Sequence, residues 1–141
     1  MNVNVFVDTN IFVYAQVSND GMKHPIARDL LKTRLLDKNV FISTQVLGEF
    51  YSAMSKYKRT HDEISVLIKE MIRDSNVSMI TLAAVQQGMM VVKKYSYSYW
   101  DALLLATALE NGCEILYSED MQHKQIIEGA LTIINPFSQL L

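Results

Sequence analysis

Four acidic residues stand where their carboxylates could act together: Asp8, Glu49, Asp101 and Asp120. Asp8 follows directly on the β-branched and aromatic run Val3 to Val7, and Asp120 comes shortly after Ile115-Leu116-Tyr117. Both therefore fall just beyond the carboxyl ends of segments that read as strands. Glu49 lies one step from the apolar stripe of its own segment, between Val46 and Ala53, beside a core-facing surface where a lone charge is costly. Asp101 opens a nearly all-apolar stretch and is expected to point into packed structure. Converging carboxylates repel, and in a partly desolvated cleft at least one pKa rises unless a cation is bound. A ligand set made only of oxygens suits hard cations such as Mg²⁺ or Mn²⁺, as one ion or two. An ion held this way lowers the pKa of a bound water and stabilises charge on a phosphodiester. Thr9, Asn10, Ser43 and Ser118 are polar neighbours able to orient the acids or hold metal-bound water.

Each acid also has a purely structural role open to it. Asp8 can cap a helix beginning at Thr9, and Ser98-Tyr99-Trp100-Asp101 is itself a capping arrangement. Asp120 alone would be a loop acid. The combination decides for chemistry, because four structural acids have no reason to gather at one edge of a sheet. Other chemistries fit less well. His24, His61 and His123 lack HxxxH or HxH spacing, which argues against zinc. No GxSxG elbow, P-loop or GxGxxG occurs. A phosphoaspartate hydrolase or a receiver-type signalling domain would carry a second acid near the first, and two residues after Asp8 stands Asn10.

The segments that carry these acids have their own periodicities. Strands are predicted over Val3–Val7, Val40–Ile42, Val77–Thr81, Glu114–Tyr117 and Leu131–Ile134. Between them run helical patterns. Pro25 marks one helix start. Val46, Phe50, Met54 and Tyr57 form one apolar stripe, and Ile64, Leu67, Ile68, Met71 and Ile72 another. Thr60-His61-Asp62-Glu63 is a capping box. A helix runs through Val92, and a last one spans Trp100 to Asn111 and is closed by Gly112. Strands alternating with helices predict a three-layer α/β/α domain over 1–141 with a mostly parallel sheet of about five strands. Ligands of such sheets bind beyond the carboxyl ends of the strands.

With these motifs in view, the chain resembles the PIN-domain family, and more narrowly the VapC-like toxin ribonucleases of toxin–antitoxin pairs. The resemblance rests on Val5-Phe6-Val7-Asp8-Thr9-Asn10, on Ser43 to Phe50, on Tyr99 to Ala106 and on Leu116 to Met121, in that order along nearly the whole chain. It implies metal ligands at Asp8, Glu49, Asp101 and Asp120, with Asn10 and Ser118 in support. A one-residue shift would exchange Asp120 for Glu119, so both stay open here. It further implies hydrolysis of RNA with Mg²⁺ or Mn²⁺, a homodimer, and silencing by a cognate antitoxin protein. A PIN-like module that binds RNA or a partner without cutting is the competing expectation.

The bulk numbers agree with one globular domain. At 141 residues the chain can bury a sizeable core, and its composition is half hydrophobic and one-fifth charged. Eight methionines read as core filler, and the single Cys113 fits a reducing, cytoplasmic setting. The N-terminus lacks signal-peptide character, and no apolar stretch reaches the ~20 residues of a membrane span. A net charge of −2 argues against a protein that coats nucleic acid, not against a nuclease with a small site. Two basic stretches could meet RNA: Lys56-Tyr57-Lys58-Arg59, and Lys93 to Trp100 leading into Asp101. Within the second, Lys93, Lys94 and Tyr95 are the candidate contacts, while Tyr97 and Trp100 are read as rings closing the core.

Overall fold

The computed structural model describes residues 3–18 and 21–140. Met1, Asn2, Asn19, Asp20 and Leu141, which the expected domain of 1–141 includes, lie outside the described residues. The first strand, β1 (Val5–Val7), is three consecutive apolar residues buried on both sides, as a parallel strand between two helical layers must be. Its neighbours are β2 (Val40–Ser43) and β4 (Ile115–Tyr117), both parallel to it. The sheet continues with β3 (Asn76–Ser78) beyond β2 and β6 (Leu131–Ile134) beyond β4. These are the five expected strands, and all five are parallel. A sixth, β5 (Ile126–Ile127), pairs antiparallel with β6, giving the order β3-β2-β1-β4-β6-β5. Two residues are too few to show a period, so β5 left no pattern to read. The third strand was expected to reach Thr81 but ends at Ser78, and the Thr81 hydroxyl instead caps the following helix.

The helices are α1 (Thr9–Gln16), α2 (Lys23–Leu36), α3 (Thr44–Lys56), α4 (His61–Asp74), α5 (Leu82–Tyr95) and α6 (Tyr99–Glu110). Helix α1 packs against α2 and α3, α3 packs against α4, and α5 pairs with α6. Val46, Phe50 and Met54 of α3 are buried as its stripe requires, while Tyr57 just past the helix is exposed. On α4, Ile64 and Met71 are buried and Ile72 is exposed. The expected capping box forms, with the Thr60 side chain accepting from Glu63 N–H and the Glu63 carboxylate accepting from Thr60 N–H. Gly112 takes a φ of 67° just past α6, the left-handed position that favours glycine.

Strand order decides where a ligand can sit. From β1 the chain moves outward to β2 and β3, then crosses back to lay β4 on the other side of β1. The β1–β4 boundary is thus the point where the winding reverses, and its carboxyl edge opens a crevice. This order also differs from the 2-1-3-4-5 arrangement of receiver-type sheets.

Candidate active site

Asp8 and Ser118 are brought abreast by the strand register, which sets Val7 opposite Tyr117 and ties Asp8 N–H to the Tyr117 carbonyl at 3.0 Å. Asp8 is only 4% exposed. Its Oδ1 accepts from Thr9 N–H at 2.7 Å, so the capping role is realised, and its Oδ2 accepts from the Ser118 hydroxyl at 2.9 Å. The same Ser118 Oγ accepts from Asp120 N–H at 3.2 Å. One fully buried serine therefore orients both acids that follow the central strands.

The other acids arrive from separate elements. Thr9 Oγ1 donates to Glu49 Oε1 at 3.1 Å, linking α1 to α3. Asn10 Nδ2 donates to Asp120 Oδ2 at 2.9 Å. Asp101 occupies the first turn of α6, where Ser98 Oγ accepts from its backbone N–H at 3.2 Å. A cleft of about 290 Å³ results, lined by Asp8, Thr9, Asn10, Glu49, Asp101 and Asp120, with Ser52, Ala53, Lys56 and Leu104 completing the wall. Ser43 is used differently from the expectation: it is fully buried and caps α3 by accepting from Val46 N–H.

Glu119 and Asp120 are separated by their partners. Glu119 accepts from Lys23 Nζ at 2.9 Å and from the Tyr14 hydroxyl, and does not line the cleft. Asp120 does line it, so of the two it is Asp120 that faces the other acids.

Burial and like charge together make the cleft a place of raised carboxylate pKa values. Asp8 is pushed from its ordinary 3.8 to about 7, chiefly by burial. The bonds from Ser118 and Thr9 oppose the rise, and the charges of Asp120 and Glu49 add to it. Asp101 is raised by burial, against the Ser98 hydroxyl. Asp120 is raised by burial and then by Glu119, Asp101 and Glu49, with Lys23 opposing. Two expectations need correcting. Glu49 is exposed to the cleft rather than held against the core, because it stands one step off the buried stripe, on the open side of α3. Nor do the acids close into a cluster: among the described residues, no three His, Cys, Asp or Glu side chains are drawn together tightly enough to hold a metal ion. Four carboxylates around one crevice repel and spread.

The stretch leading into Asp101 also differs from its reading. Trp100 was expected to close the core but is 62% exposed. It occupies the second position of α6, whose packing against α5 is made elsewhere on the helix, where Leu103 meets Gly88. Tyr97 is half-buried, its hydroxyl bonded to Gln125 and to the Gln122 backbone. Lys94 Nζ and the Tyr95 hydroxyl both bond Glu128 Oε2, at 2.6 and 2.7 Å, and Lys93 is exposed; none of the three lines the cleft. Lys56 does, and sequence reading did not single it out within its basic run. A signal was present: Lys56 is seven residues after Glu49, two helical turns along the same face. The histidines sit apart, His24 at the Tyr14 carbonyl, His61 at the Tyr51 hydroxyl and His123 at Asn135 N–H.

The sequence matches the PIN domain model over residues 5–128. The chain belongs to the PIN-domain family. No curated protein matches the sequence significantly. Among solved structures, the sarcin–ricin-loop-cleaving toxin VapC20 of Mycobacterium tuberculosis is similar at 22% identity and a TM-score of 0.66, over 80% of this chain and 87% of that one. A toxin–antitoxin complex from Klebsiella pneumoniae is similar at 20% identity and a TM-score of 0.70, over 94% and 98% of the two chains. VapBC2 from Rickettsia felis, bound to a DNA fragment from its promoter, gives 15% identity and a TM-score of 0.67, over 93% and 98%. This PIN domain therefore shares the fold of VapC toxins.

Proposed function

We propose that this PIN domain is a Mg²⁺- or Mn²⁺-dependent endoribonuclease and the toxin of a toxin–antitoxin pair. The observation that carries the reading is the single cleft lined by Asp8, Glu49, Asp101 and Asp120 at the point where the sheet reverses its winding. The chemistry of the donor set, though not its present spacing, suits a hard divalent cation on two grounds. All four are oxygen donors. The buried Asp8 lies under the charges of Glu49 and Asp120 with no cationic side chain bonded to it. Asp8, Glu49, Asp101 and Asp120 would hold the ion, which when bound supplies an activated water and charge stabilisation at a phosphodiester.

The chain's own groups do the rest. Ser118 and Thr9 fix both Asp8 oxygens, Thr9 Oγ1 steadies Glu49, and Asn10 steadies Asp120. Rigid anchoring matters because misplaced ligands lose affinity and rate. Lys56 offers a phosphate contact within the cleft, with Lys93, Lys94 and Tyr95 as outer contacts. A cognate antitoxin, a homodimeric state and a cytoplasmic setting belong to the same reading; similarity of fold to toxin–antitoxin complexes supports the first. No helix among the described residues is long and apolar enough to cross a membrane.

The test is cleavage of RNA by the pure protein. Mg²⁺ or Mn²⁺ restores activity to chelator-stripped protein, and EDTA abolishes it. Undiminished cleavage in excess chelator would overturn the metal-dependent reading.

A further inference from the structure

We infer that Trp100 is an aromatic platform on which an unpaired nucleobase of single-stranded RNA stacks beside the acidic cleft. The inference rests on the ribonuclease reading and adds to it a residue that would hold the substrate beside the cut. An indole is among the largest apolar groups a chain can bury, so leaving it 62% exposed forgoes a sizeable gain. Its place is specific. Trp100 immediately precedes Asp101, which lines the cleft. Its carbonyl accepts a bond from Gln45 Nε2 at 3.3 Å, and Gln45 lies one turn before Glu49 on α3. The backbone that carries the indole is thus held between the two helices that supply Glu49 and Asp101. Tyr99 meets the indole edge-on, with centroids 5.1 Å apart and planes at 72°, which braces it.

Charge supplies the second argument. The cleft carries four carboxylates, which repel phosphates, and Lys56 is the cationic residue among those lining it. The whole chain is net negative. A divalent ion held by these acids would meet the phosphate at the cut, but with Lys56 as the cationic side chain in the wall the flanking nucleotides find little charge to hold them, and base–aromatic stacking supplies a grip that does not depend on charge. The tyrosines just upstream do not offer the same surface, since Tyr95 and Tyr97 are half-buried with their hydroxyls bonded to Glu128 and Gln125. A base can reach an exposed ring only when it is free of its own pairing, as in loops and single strands.

Trp100 is the sole tryptophan, so it reports on itself. With Glu49→Gln to keep substrate intact and Mg²⁺ present, a short single-stranded oligoribonucleotide of mixed sequence should change the tryptophan emission saturably. The same strand locked in a duplex should not. Trp100→Ala should weaken binding about 5- to 150-fold, the range expected for removing one stacked base. In the cleaving protein it should raise KM while kcat stays near its starting value, and Trp100→Phe should retain most of the affinity. If RNA is bound and cut while the emission stays constant and Trp100→Ala keeps its KM, the platform is wrong and the nuclease reading stands. If emission depends on protein concentration without RNA and Trp100→Ala dissociates a dimer, the indole belongs between two copies of the chain and the platform is overturned. If the protein neither binds nor cuts RNA, both readings fall.

Discussion

Asp8 does two things at once, and its chemistry follows from that. It caps α1 through Thr9 N–H, and the burial that makes it a good cap also raises its carboxyl to about 7. A group with a folded pKa above its unfolded value stabilises the fold only while it holds its proton. That contribution is full below the ordinary 3.8 and is lost as pH rises through about 7. The metal-free protein should therefore lose stability over that interval and level off above it, as measured by denaturant unfolding at a series of pH values. Under the proposed metal site, Mg²⁺ would bind only the folded state and should restore the loss by mass action. Asp8→Asn retains a good capping side chain, so it should flatten the slope, leave the apo protein at least as stable near neutrality, and abolish cleavage. A variant that keeps both the slope and the cleavage would make Asp8 a cap and nothing more.

At the scale of elements, the turn after β4 decides which acid serves the cleft. Ser118 Oγ accepts from Asp120 N–H while Lys23 of α2 and Tyr14 of α1 hold Glu119 on the other side. Adjacent residues leaving a strand point in different directions, so a one-residue slip would exchange the two carboxylates. Asp120→Asn should lower RNA cleavage by orders of magnitude, whereas Glu119→Gln should leave it within severalfold. The Lys23–Glu119 pair is partly exposed, with side-chain accessibilities of 31% and 16%, so its removal should cost little stability. Initial-rate assays of both variants decide the assignment, and the reverse ranking would move the fourth ligand to Glu119. Helix α3 makes the same point through its periodicity: Glu49, Ala53 and Lys56 share the face that lines the cleft, while Val46, Phe50 and Met54 share the face that builds the core.

For the whole molecule, a net charge of −2 supplies no general attractive field for RNA, so the proposed binding would rest on a few local cations. The dependence of binding on salt reports how many there are. For single strands the slope of log K against log salt falls by ~0.7 for each phosphate that is no longer neutralised by a cationic side chain. Lys56→Ala should flatten the slope by about that amount. Lys93→Ala combined with Lys94→Ala should flatten it again, by less than two phosphates' worth, because Lys94 already bonds Glu128 at 2.6 Å. An unchanged slope in the double variant would leave that stretch as solvated surface, and an unchanged slope for Lys56→Ala would remove phosphate binding from the cleft wall.

The sequence alone determined whatever is written in local periods and local hydrogen bonds. The strand cores, the amphipathic stripes, the caps at Asp8, Thr60 and Ser98, and the left-handed Gly112 all depend on residues within a few positions of one another. The four acids were legible for the same reason, since standing just past a strand or in the first turn of a helix is a local property. Tertiary structure alone decided which way side chains face once distant segments meet. The bonds that orient the cleft run from Asn10 to Asp120, Ser118 to Asp8 and Thr9 to Glu49, pairs 110, 110 and 40 residues apart. No local pattern encodes such pairings, so the exposure of Glu49 and Trp100, the part of Lys56 and the choice of Asp120 over Glu119 waited on the register of β1 with β4 and on the packing of α3 and α6 around it.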